Sequence, residues 1–179
     1  MSAGVLALDL GSTSVRALVV EASGKVLARA QKPLRVAFPS PGRVEQDPHE
    51  MWQSSAEVLR SALSQSGVDP GEISGLGVVT QRGTALCWDA ETGEPLAPAI
   101  GWQDARTSER VRELRDAGIP INTLAAATKF EWLVENEPGV RAAARAGRLR
   151  LGTPDTWLTA NLTGFAAHVT DPGHAACTA

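Results

Sequence analysis

The sequence has no tyrosine, only two cysteines and only three histidines among its 179 residues. Cys87 and Cys177 are too few to build a disulfide framework or a zinc site, so we expect a reducing, cytoplasmic environment. No apolar run approaches the roughly 20 residues that a membrane helix needs. The first residues include no basic segment, and Asp9 comes too early for a secretory signal peptide. We therefore expect neither a membrane-spanning protein nor a secreted one.

Long runs of one charge are also missing. The formal net charge is −3 and there is no extended basic block, so we expect no nucleic acid partner and no attachment to an anionic membrane. Hydrophobic residues make up 43% of the chain and charged residues 21%, which is typical of a soluble globular domain. Because one domain takes roughly 150 residues, we expect a single domain over residues 1–179.

Short apolar segments separated by turns predict strands at the start of the chain. These segments are 5–10, 15–20 and 26–31, with the turn sequences GSTS and ASGK between them. Successive strands joined by tight turns form antiparallel hairpins. The sequence therefore predicts an antiparallel meander of three strands.

Further along, helices and strands alternate. Asp47 can cap a helix that begins at Pro48, and Gly67 ends it. The apolar segment 73–81 predicts a buried strand, and 84–89 predicts another. Further helices are predicted at 104–117, 128–136, 138–146 and 155–162 and after Asp171. This order predicts an α/β fold, a mixed sheet with an N-terminal antiparallel meander and flanking helices.

A carboxylate followed by a small polar turn is the first candidate site. Asp9 ends the first strand, Arg16 lies in the second, and the turn between them contains Gly11, Ser12, Thr13 and Ser14. Successive N–H groups in such a turn can form a nest for phosphate, helped here by hydroxyl groups. A neighbouring carboxylate can hold Mg²⁺ through water. The alternative is a plain hairpin turn, because Gly, Ser and Asp are common turn residues.

The second candidate site lies at the carboxyl end of the predicted strand 73–81. Gln81, Arg82 and Gly83 occur at this end, where open α/β sheets bind their ligands. An amide and a guanidinium can together hold hydroxyl groups. The alternative is a solvated loop.

The third candidate site combines an aromatic ring with polar groups. Trp102, Gln103 and Asp104 are consecutive. An indole face can take the C–H groups of a sugar, while an amide and a carboxylate take its hydroxyls. The alternative is a buried tryptophan before a helix that Asp104 caps.

The remaining polar residues indicate no further site. His49, His168 and His174 lack metal-ligand spacing to any cysteine or pair of carboxylates. The arginines near the end of the chain are predicted to line one solvated helix face; they are Arg141, Arg145, Arg148 and Arg150.

Seven segments follow one another along almost the whole chain, from about residue 5 to residue 178. They are ALDLGSTSVRA, PSPGRVEQDPHEMW, GVVTQRGTALCWDAETGEPL, AIGWQDART, ATKFEWLVENEPGVR, LRLGTPDTWLTANLTG and HVTDPGHAACT. In this order they resemble the N-terminal part of the FGGY carbohydrate kinases, and of the glycerol kinases in particular. The resemblance implies the actin-like ATPase fold, whose core is RNase-H-like, and transfer of the ATP γ-phosphate to a hydroxyl of a sugar or polyol.

The resemblance also implies roles for the candidate residues. Asp9 would hold Mg²⁺ through water, and the turn 11–14 would bind the phosphates of ATP with Arg16 close by. The residues that match substrate-pocket positions are Gln81, Arg82 and Trp102, and we add their neighbours Gly83, Gln103 and Asp104 as substrate-binding candidates.

The resemblance leaves two functional alternatives open. The family's catalytic base and adenosine site correspond to positions beyond Ala179, so no catalytic residue is assigned and the C-terminal lobe is expected to be absent. One alternative is the N-terminal part of an ATP-dependent kinase, inactive as this fragment. The other is a non-catalytic remnant, or half of a split kinase completed by a chain that carries the C-terminal lobe.

Two departures from the glycerol kinases concern the substrate. Gly83 replaces a substrate-binding glutamate, and the shortened stretch 116–128 lacks an expected tyrosine. These losses suggest a wider pocket for a larger polyol or ketose.

Overall fold

The computed structural model describes residues 4–178. The chain divides into two compact units. The first comprises residues 1–35 and 49–80, and the second comprises residues 36–48 and 81–179.

The strands in chain order are β1 (Gly4–Leu10), β2 (Ser14–Glu21), β3 (Val26–Pro33), β4 (Glu45–Gln46), β5 (Ile73–Thr80), β6 (Leu86–Asp89), β7 (Ala99–Ile100) and β8 (Leu149–Gly152). The helices are α1 (Pro48–Ser66), α2 (Ser108–Asp116), α3 (Ala126–Asn136), α4 (Pro138–Arg145), α5 (Pro154–Leu162) and α6 (Pro172–Ala176). None of the helices among residues 4–178 is long and apolar enough to cross a membrane.

The first unit contains a four-stranded sheet in the order β3-β2-β1-β5. Strands β1, β2 and β3 pair antiparallel, as the turn sequences predict, while β5 pairs parallel to β1. The sheet is therefore mixed, and the predicted α/β fold is confirmed. Within it Asp9 lies opposite Arg16, and Leu10 lies beside Thr80.

Side chains alternate between the two faces of this sheet. On one face Leu8, Leu10, Val15 and Val19 are at most 1% exposed. The strand at 73–81 is correctly predicted as β5, but its predicted burial is wrong, because most of its residues are exposed. β5 is an edge strand of the sheet among the described residues, and its side chains lack cover there.

Helix α1 begins and ends where its sequence predicts. Pro48 stands at the first helical position, where a missing N–H costs nothing. Gly67 follows the last residue with φ +69°, a left-handed conformation that glycine adopts without strain. Met51, Val58 and Ala62 recur at helical spacing and are buried. These residues form the apolar stripe of the helix.

The second unit is framed by short strand pairs. β4 pairs with β7, β6 pairs with β8, and an isolated bridge joins Ala85 to Ile100. Helices α3 and α4 contact each other. Its core cluster consists of Ala85, Cys87, Ile100, Ala126, Leu133 and Val140.

Two details of the predicted helices need correction. α2 begins at Ser108 rather than at residue 104, since Asp104 is engaged in interactions before the helix. The predicted arginine face is wrong, because Arg150 lies in β8 and Arg148 bonds to Asp89 at 3.0 Å. Asp171 caps α6 as predicted, accepting hydrogen bonds from two backbone N–H groups.

Candidate functional site

The turn between β1 and β2 presents a carboxylate and a guanidinium side by side. Arg16 Nε lies 3.2 Å from Asp9 Oδ2, and both side chains are more than 40% exposed. The N–H of Gly11 donates to the carbonyl of Ser14 at 2.9 Å and closes the turn. Because this N–H is used inside the turn, a bound phosphate would have to meet other turn groups.

Residues 9–16 fit the Mg²⁺ and phosphate that the fold family implies. Asp9 supplies hard carboxylate oxygens, and Mg²⁺ commonly binds through one or two carboxylates and several waters. The side chain of Asp9 is 41% exposed, which leaves room for water between it and an ion. The side chain of Arg16 is 44% exposed, and its guanidinium has donors of the kind that bind phosphate. A Cβ on Gly11 would stand 3.2 Å from the carbonyl of Ser14, so a glycine suits this turn.

The segment after β5 divides into exposed and buried parts. Arg82 is exposed, whereas Gly83 is buried. Gln81 donates from Nε2 to Gln46 Oε1 at 2.7 Å, which fixes its side chain. The guanidinium of Arg82 lies near the start of α6, since a Cβ on Gly173 would be 3.6 Å from Nη2 of Arg82.

A cluster of Asp155, Asp171 and His174 lies at the start of α6. One ligand atom from each residue lies within 4.8 Å of the others, and His174 Nδ1 is 3.3 Å from Asp155 Oδ1. Thr170 donates to Asp155 at 2.6 Å, and Thr153 donates to it as well. The sequence spacing gave no sign of this cluster, because the fold brings α5 and α6 together. The contacts tie the two helices and hold Asp171 beside Arg82.

The charge of Asp171 is stabilised in this position. Partial desolvation acts to raise its pKa, but hydrogen bonds from the N–H groups of Gly173 and His174 lower it. The charges of His174 and Arg82 act in the same direction, so the pKa of Asp171 lies below its ordinary value. Asp171 therefore offers Arg82 an ionised partner.

The space beside Gly83 is filled by the chain itself. Gly83 has φ +73°, and a Cβ at this position would collide with the backbone carbonyl of Leu124. The fully buried Lys129 donates from Nζ to the carbonyls of Gly83 and Thr123, each at 2.9 Å. Glycine at 83 therefore opens no volume beside its Cα, which removes one of the two reasons for expecting a wider pocket.

Trp102 and Gln103 are both exposed, and the indole is 38% exposed. The alternative of a buried tryptophan is therefore wrong. The N–H of Gly101 donates to the carbonyl of Val44 at 2.8 Å, which anchors the chain directly before Trp102. The indole and the amide are accessible to a ligand.

Asp104, in contrast, is buried and fully engaged. Its Oδ2 accepts from the N–H of Val44 at 2.6 Å and from Arg106 Nη2 at 2.8 Å. Its Oδ1 accepts from the N–H and from Nε of Arg106. A carboxylate has about four acceptor positions, so these bonds oppose the expectation that Asp104 contacts a substrate.

Arg106 connects Asp104 to a wider structural network. Its Nη2 donates to Glu45 at 2.6 Å, and its guanidinium lies 4.6 Å from the ring centre of Trp132. Burial acts to raise the pKa of Asp104, but the hydrogen bonds from Arg106 and Val44 lower it below its ordinary value. This network holds the segment after Trp102.

Comparisons with known proteins identify the family of this chain. The model of the FGGY family of carbohydrate kinases, N-terminal domain, matches residues 4–179. A glycerol kinase of Aromatoleum aromaticum is 43% identical over 97% of this chain, and one of Paracidovorax citrulli is 41% identical over the same share. These matches cover 37% and 36% of the two relatives, so the chain spans little more than a third of their length.

Solved structures of carbohydrate kinases also match this chain. The glycerol kinase of Plasmodium falciparum, solved with ADP, matches with a TM-score of 0.81 and 27% identity over 91% of this chain and 35% of that one. The xylulose kinase of Rhodospirillum rubrum matches with a TM-score of 0.82 and 25% identity over 98% of this chain and 36% of that one. The fold is thus that of the actin-like ATPases. This chain belongs to the FGGY family of carbohydrate kinases and corresponds to its N-terminal domain.

Proposed function

We propose that this chain supplies the N-terminal part of an ATP-dependent kinase that phosphorylates a hydroxyl of a sugar or polyol. The observation that carries the proposal is the exposed pair of Asp9 and Arg16 beside the tight turn closed by Gly11 and Ser14. Its relatives are named glycerol kinases, and its structural neighbours include glycerol and xylulose kinases.

In this proposal the turn between β1 and β2 binds the phosphates of ATP. Asp9 holds Mg²⁺ through water, and bound Mg²⁺ neutralises charge on the phosphates of ATP. Arg16 and the hydroxyls of Ser12, Thr13 and Ser14 orient the phosphates. Phosphoryl transfer depends mainly on such positioning and charge stabilisation.

The acceptor is bound by groups of the second unit. Arg82 and Gln103 donate hydrogen bonds to hydroxyls, and the indole of Trp102 packs against C–H groups. We also assign Gln81, which precedes Arg82 in the chain, to this acceptor site. We do not assign Asp104 and Gly83 to direct contact with the acceptor, since one is fully bonded and the other is buried. We assign no catalytic base within these 179 residues, and we expect the chain alone to be inactive.

A chimera tests the proposal. The chain replaces the matching N-terminal part of the Aromatoleum aromaticum glycerol kinase, and ADP release is measured with glycerol, xylulose and gluconate as acceptors. We expect acceptor-dependent ADP release, which Asp9→Asn strongly reduces. The control Asp116→Asn, at an exposed residue of α2, should leave the rate unchanged. A correctly folded chimera without ADP release on any sugar or polyol would refute the proposal.

The chain alone distinguishes the remaining alternatives. Acceptor-dependent ADP release by the 179-residue chain would contradict its proposed inactivity. If the chimera is inactive while the folded chain is intact, the non-catalytic remnant is the better interpretation. Activity restored by a separately produced C-terminal part would favour the split kinase.

A further inference from the structure

Asp171 and Arg82 present opposite charges to one exposed space at the start of α6. A Cβ on Gly173 would stand 2.9 Å from Oδ1 of Asp171 and 3.6 Å from Nη2 of Arg82. A side chain at position 173 would therefore contact both charged groups, and glycine leaves the space beside them open. The side chain of Asp171 is 57% exposed, and Arg82 is exposed as well. A ligand can thus reach both groups from solvent.

Both side chains retain hydrogen-bonding capacity for a ligand. Oδ1 of Asp171 accepts from the N–H groups of Gly173 and His174, at 2.6 and 3.2 Å. Oδ2 faces Nε2 of His174 at 3.8 Å, which is too long for a hydrogen bond, so Oδ2 can accept one from a ligand. Within residues 4–178 the guanidinium of Arg82 donates no hydrogen bond. One exposed group therefore offers an acceptor, and the other offers several donors.

The residues on either side of Asp171 are anchored to Asp155 of α5. Thr170 donates to Oδ2 of Asp155 at 2.6 Å, and Nδ1 of the buried His174 lies 3.3 Å from Oδ1 of Asp155. The backbone that carries Asp171 is therefore held in place before any ligand binds. A group fixed in advance loses little conformational freedom on binding, which favours affinity.

The same tripeptide occurs a second time in the chain without an arginine beside it. Asp69-Pro70-Gly71 repeats the sequence Asp171-Pro172-Gly173, and Asp69 also caps a short helical turn by accepting from the N–H of Gly71 at 2.7 Å. A Cβ on Gly71 would meet, among residues 4–178, only Oδ1 of Asp69, at 3.2 Å. Capping accounts for the tripeptide in both places, but it does not account for the guanidinium at 171–173.

We propose that Asp171 is a further acceptor-binding residue, which together with Arg82 holds two hydroxyl groups on neighbouring carbons of the sugar or polyol. Arg82 donates to one hydroxyl oxygen, and Asp171 accepts a hydrogen bond from the other hydroxyl. Hydrogen bonds to ionised groups are roughly twice as strong as those between neutral groups. Asp171 thus supplies from α6 the carboxylate that Gly83 does not provide. Since Arg82 belongs to the proposed acceptor site, this role of Asp171 rests on the proposed function.

Titration of the 179-residue chain with small alcohols tests the role of Asp171. The NMR signal of the Nε–H group of Arg82 is followed with glycerol, with xylulose, and with trimethylene glycol, whose two hydroxyls are not on neighbouring carbons. We expect saturable shifts with the first two and at least tenfold weaker binding of the third. Asp171→Asn keeps an oxygen that caps α6, because asparagine is an equally good cap. It removes the charged acceptor, so it should weaken the binding of glycerol and xylulose about tenfold or more.

The chain offers a matched control for each variant. Asp69→Asn makes the same change in the same tripeptide and should bind as the unchanged chain does. Gly173→Ala fills the open space and should also weaken binding about tenfold. Gly139→Ala is its control, because Gly139 likewise follows a proline at the start of a helix but has nothing within 4 Å of its Cβ. The backbone amide spectrum of each variant checks that it is folded.

Equal affinities of the folded Asp171→Asn and Asp69→Asn variants would overturn the role of Asp171. Equal affinities for glycerol and trimethylene glycol would also overturn it, as would the absence of saturable binding. The kinase chimera gives a separate result. An inactive chimera beside a chain that binds diols through Asp171 would refute the kinase activity and leave the diol site. An active chimera that is insensitive to Asp171→Asn would do the reverse.

Discussion

The backbone carbonyl of Leu124 occupies the position that a side chain on Gly83 would need. Lys129 reinforces this contact, because its buried ammonium group bonds the carbonyls of Gly83 and Thr123. The segment after β5 and the loop before α3 are therefore locked together. A glutamate at position 83 is incompatible with this arrangement.

Substitution of Gly83 should destabilise the chain strongly. Gly83→Ala meets both a left-handed backbone, at φ +73°, and the carbonyl of Leu124. We expect a loss of about 2–4 kcal/mol in the free energy of unfolding, measured in urea. Gly118→Ala is the control, since Gly118 has φ +85° but nothing within 4 Å of its Cβ. It should lose only about 1 kcal/mol; equal losses would contradict the steric argument.

The sequence predicts the parts of this fold that depend on local chemistry. The hairpin of β1 and β2, with Asp9 opposite Arg16, follows from turn residues and alternating apolar positions. The bounds of α1 follow from Pro48 and Gly67. These features need only neighbouring residues, so a single sequence contains the information.

Interactions between distant segments could not be predicted. Lys129 reaches Gly83 across 46 residues, and no local signal marks that pairing. The sequence around Asp104 is typical of a helix cap or a ligand contact, yet its carboxylate accepts a hydrogen bond from the backbone N–H of Val44. The exposure of β5 also depends on which segments cover the sheet. In each case tertiary contacts decide the outcome.

Asp104 should matter for stability far more than an exposed ion pair. Asp104→Ala leaves the buried Arg106 without its main partner, and breaking a buried pair costs about 3–5 kcal/mol. Glu113→Ala removes an exposed partner of Arg110 and should cost less than about 1 kcal/mol. Thermal unfolding of both variants measures the difference. Similar melting temperatures would show that the hydrogen-bond network of Asp104 contributes little to the stability of the folded chain.

Arg82 should contribute to binding of the acceptor and not to binding of the nucleotide. In the kinase chimera, Arg82→Ala removes a charged hydrogen bond worth about 1.5–3 kcal/mol. We therefore expect kcat/KM for the acceptor to fall about 10- to 100-fold, while KM for ATP stays constant. Arg112→Ala, at an exposed residue of α2, is the control and should change neither constant. A selective change in KM for ATP would assign Arg82 to the phosphates instead.

Cys87 should be unreactive in the folded chain. It is 1% exposed, and burial raises the pKa of its thiol to about 12. The thiolate is the reactive form, so a thiol reagent near pH 8 should modify Cys177 first and Cys87 only in denaturant. The Cys177→Ser variant isolates Cys87. Rapid labelling of this variant without denaturant would show that the core around β6 opens readily.

Lys129 should give the stability a distinctive pH dependence. Burial lowers the pKa of its ammonium group to about 8, although the charge of Asp104 partly opposes the shift. In the unfolded chain the pKa is near the ordinary 10.5, so the unfolded state binds the proton more tightly. The loss of folding stability from burying the charged ammonium group is complete below about pH 8. This loss disappears as the pH rises towards the pKa of the unfolded chain.

Lys129→Met isolates this effect, because every other titrating group is shared with the unchanged chain. The variant leaves the carbonyls of Gly83 and Thr123 without their donor, so it should be less stable throughout. Between about pH 7.5 and about pH 9.5 the unchanged chain should gain about 2 kcal/mol relative to the variant. Urea unfolding at several pH values measures the difference in the free energy of unfolding between the unchanged chain and the variant. If this difference stays constant with pH, the carbonyl hydrogen bonds offset the cost of burying the charge. If the difference narrows as the pH rises, the hydrogen bonds exceed that cost.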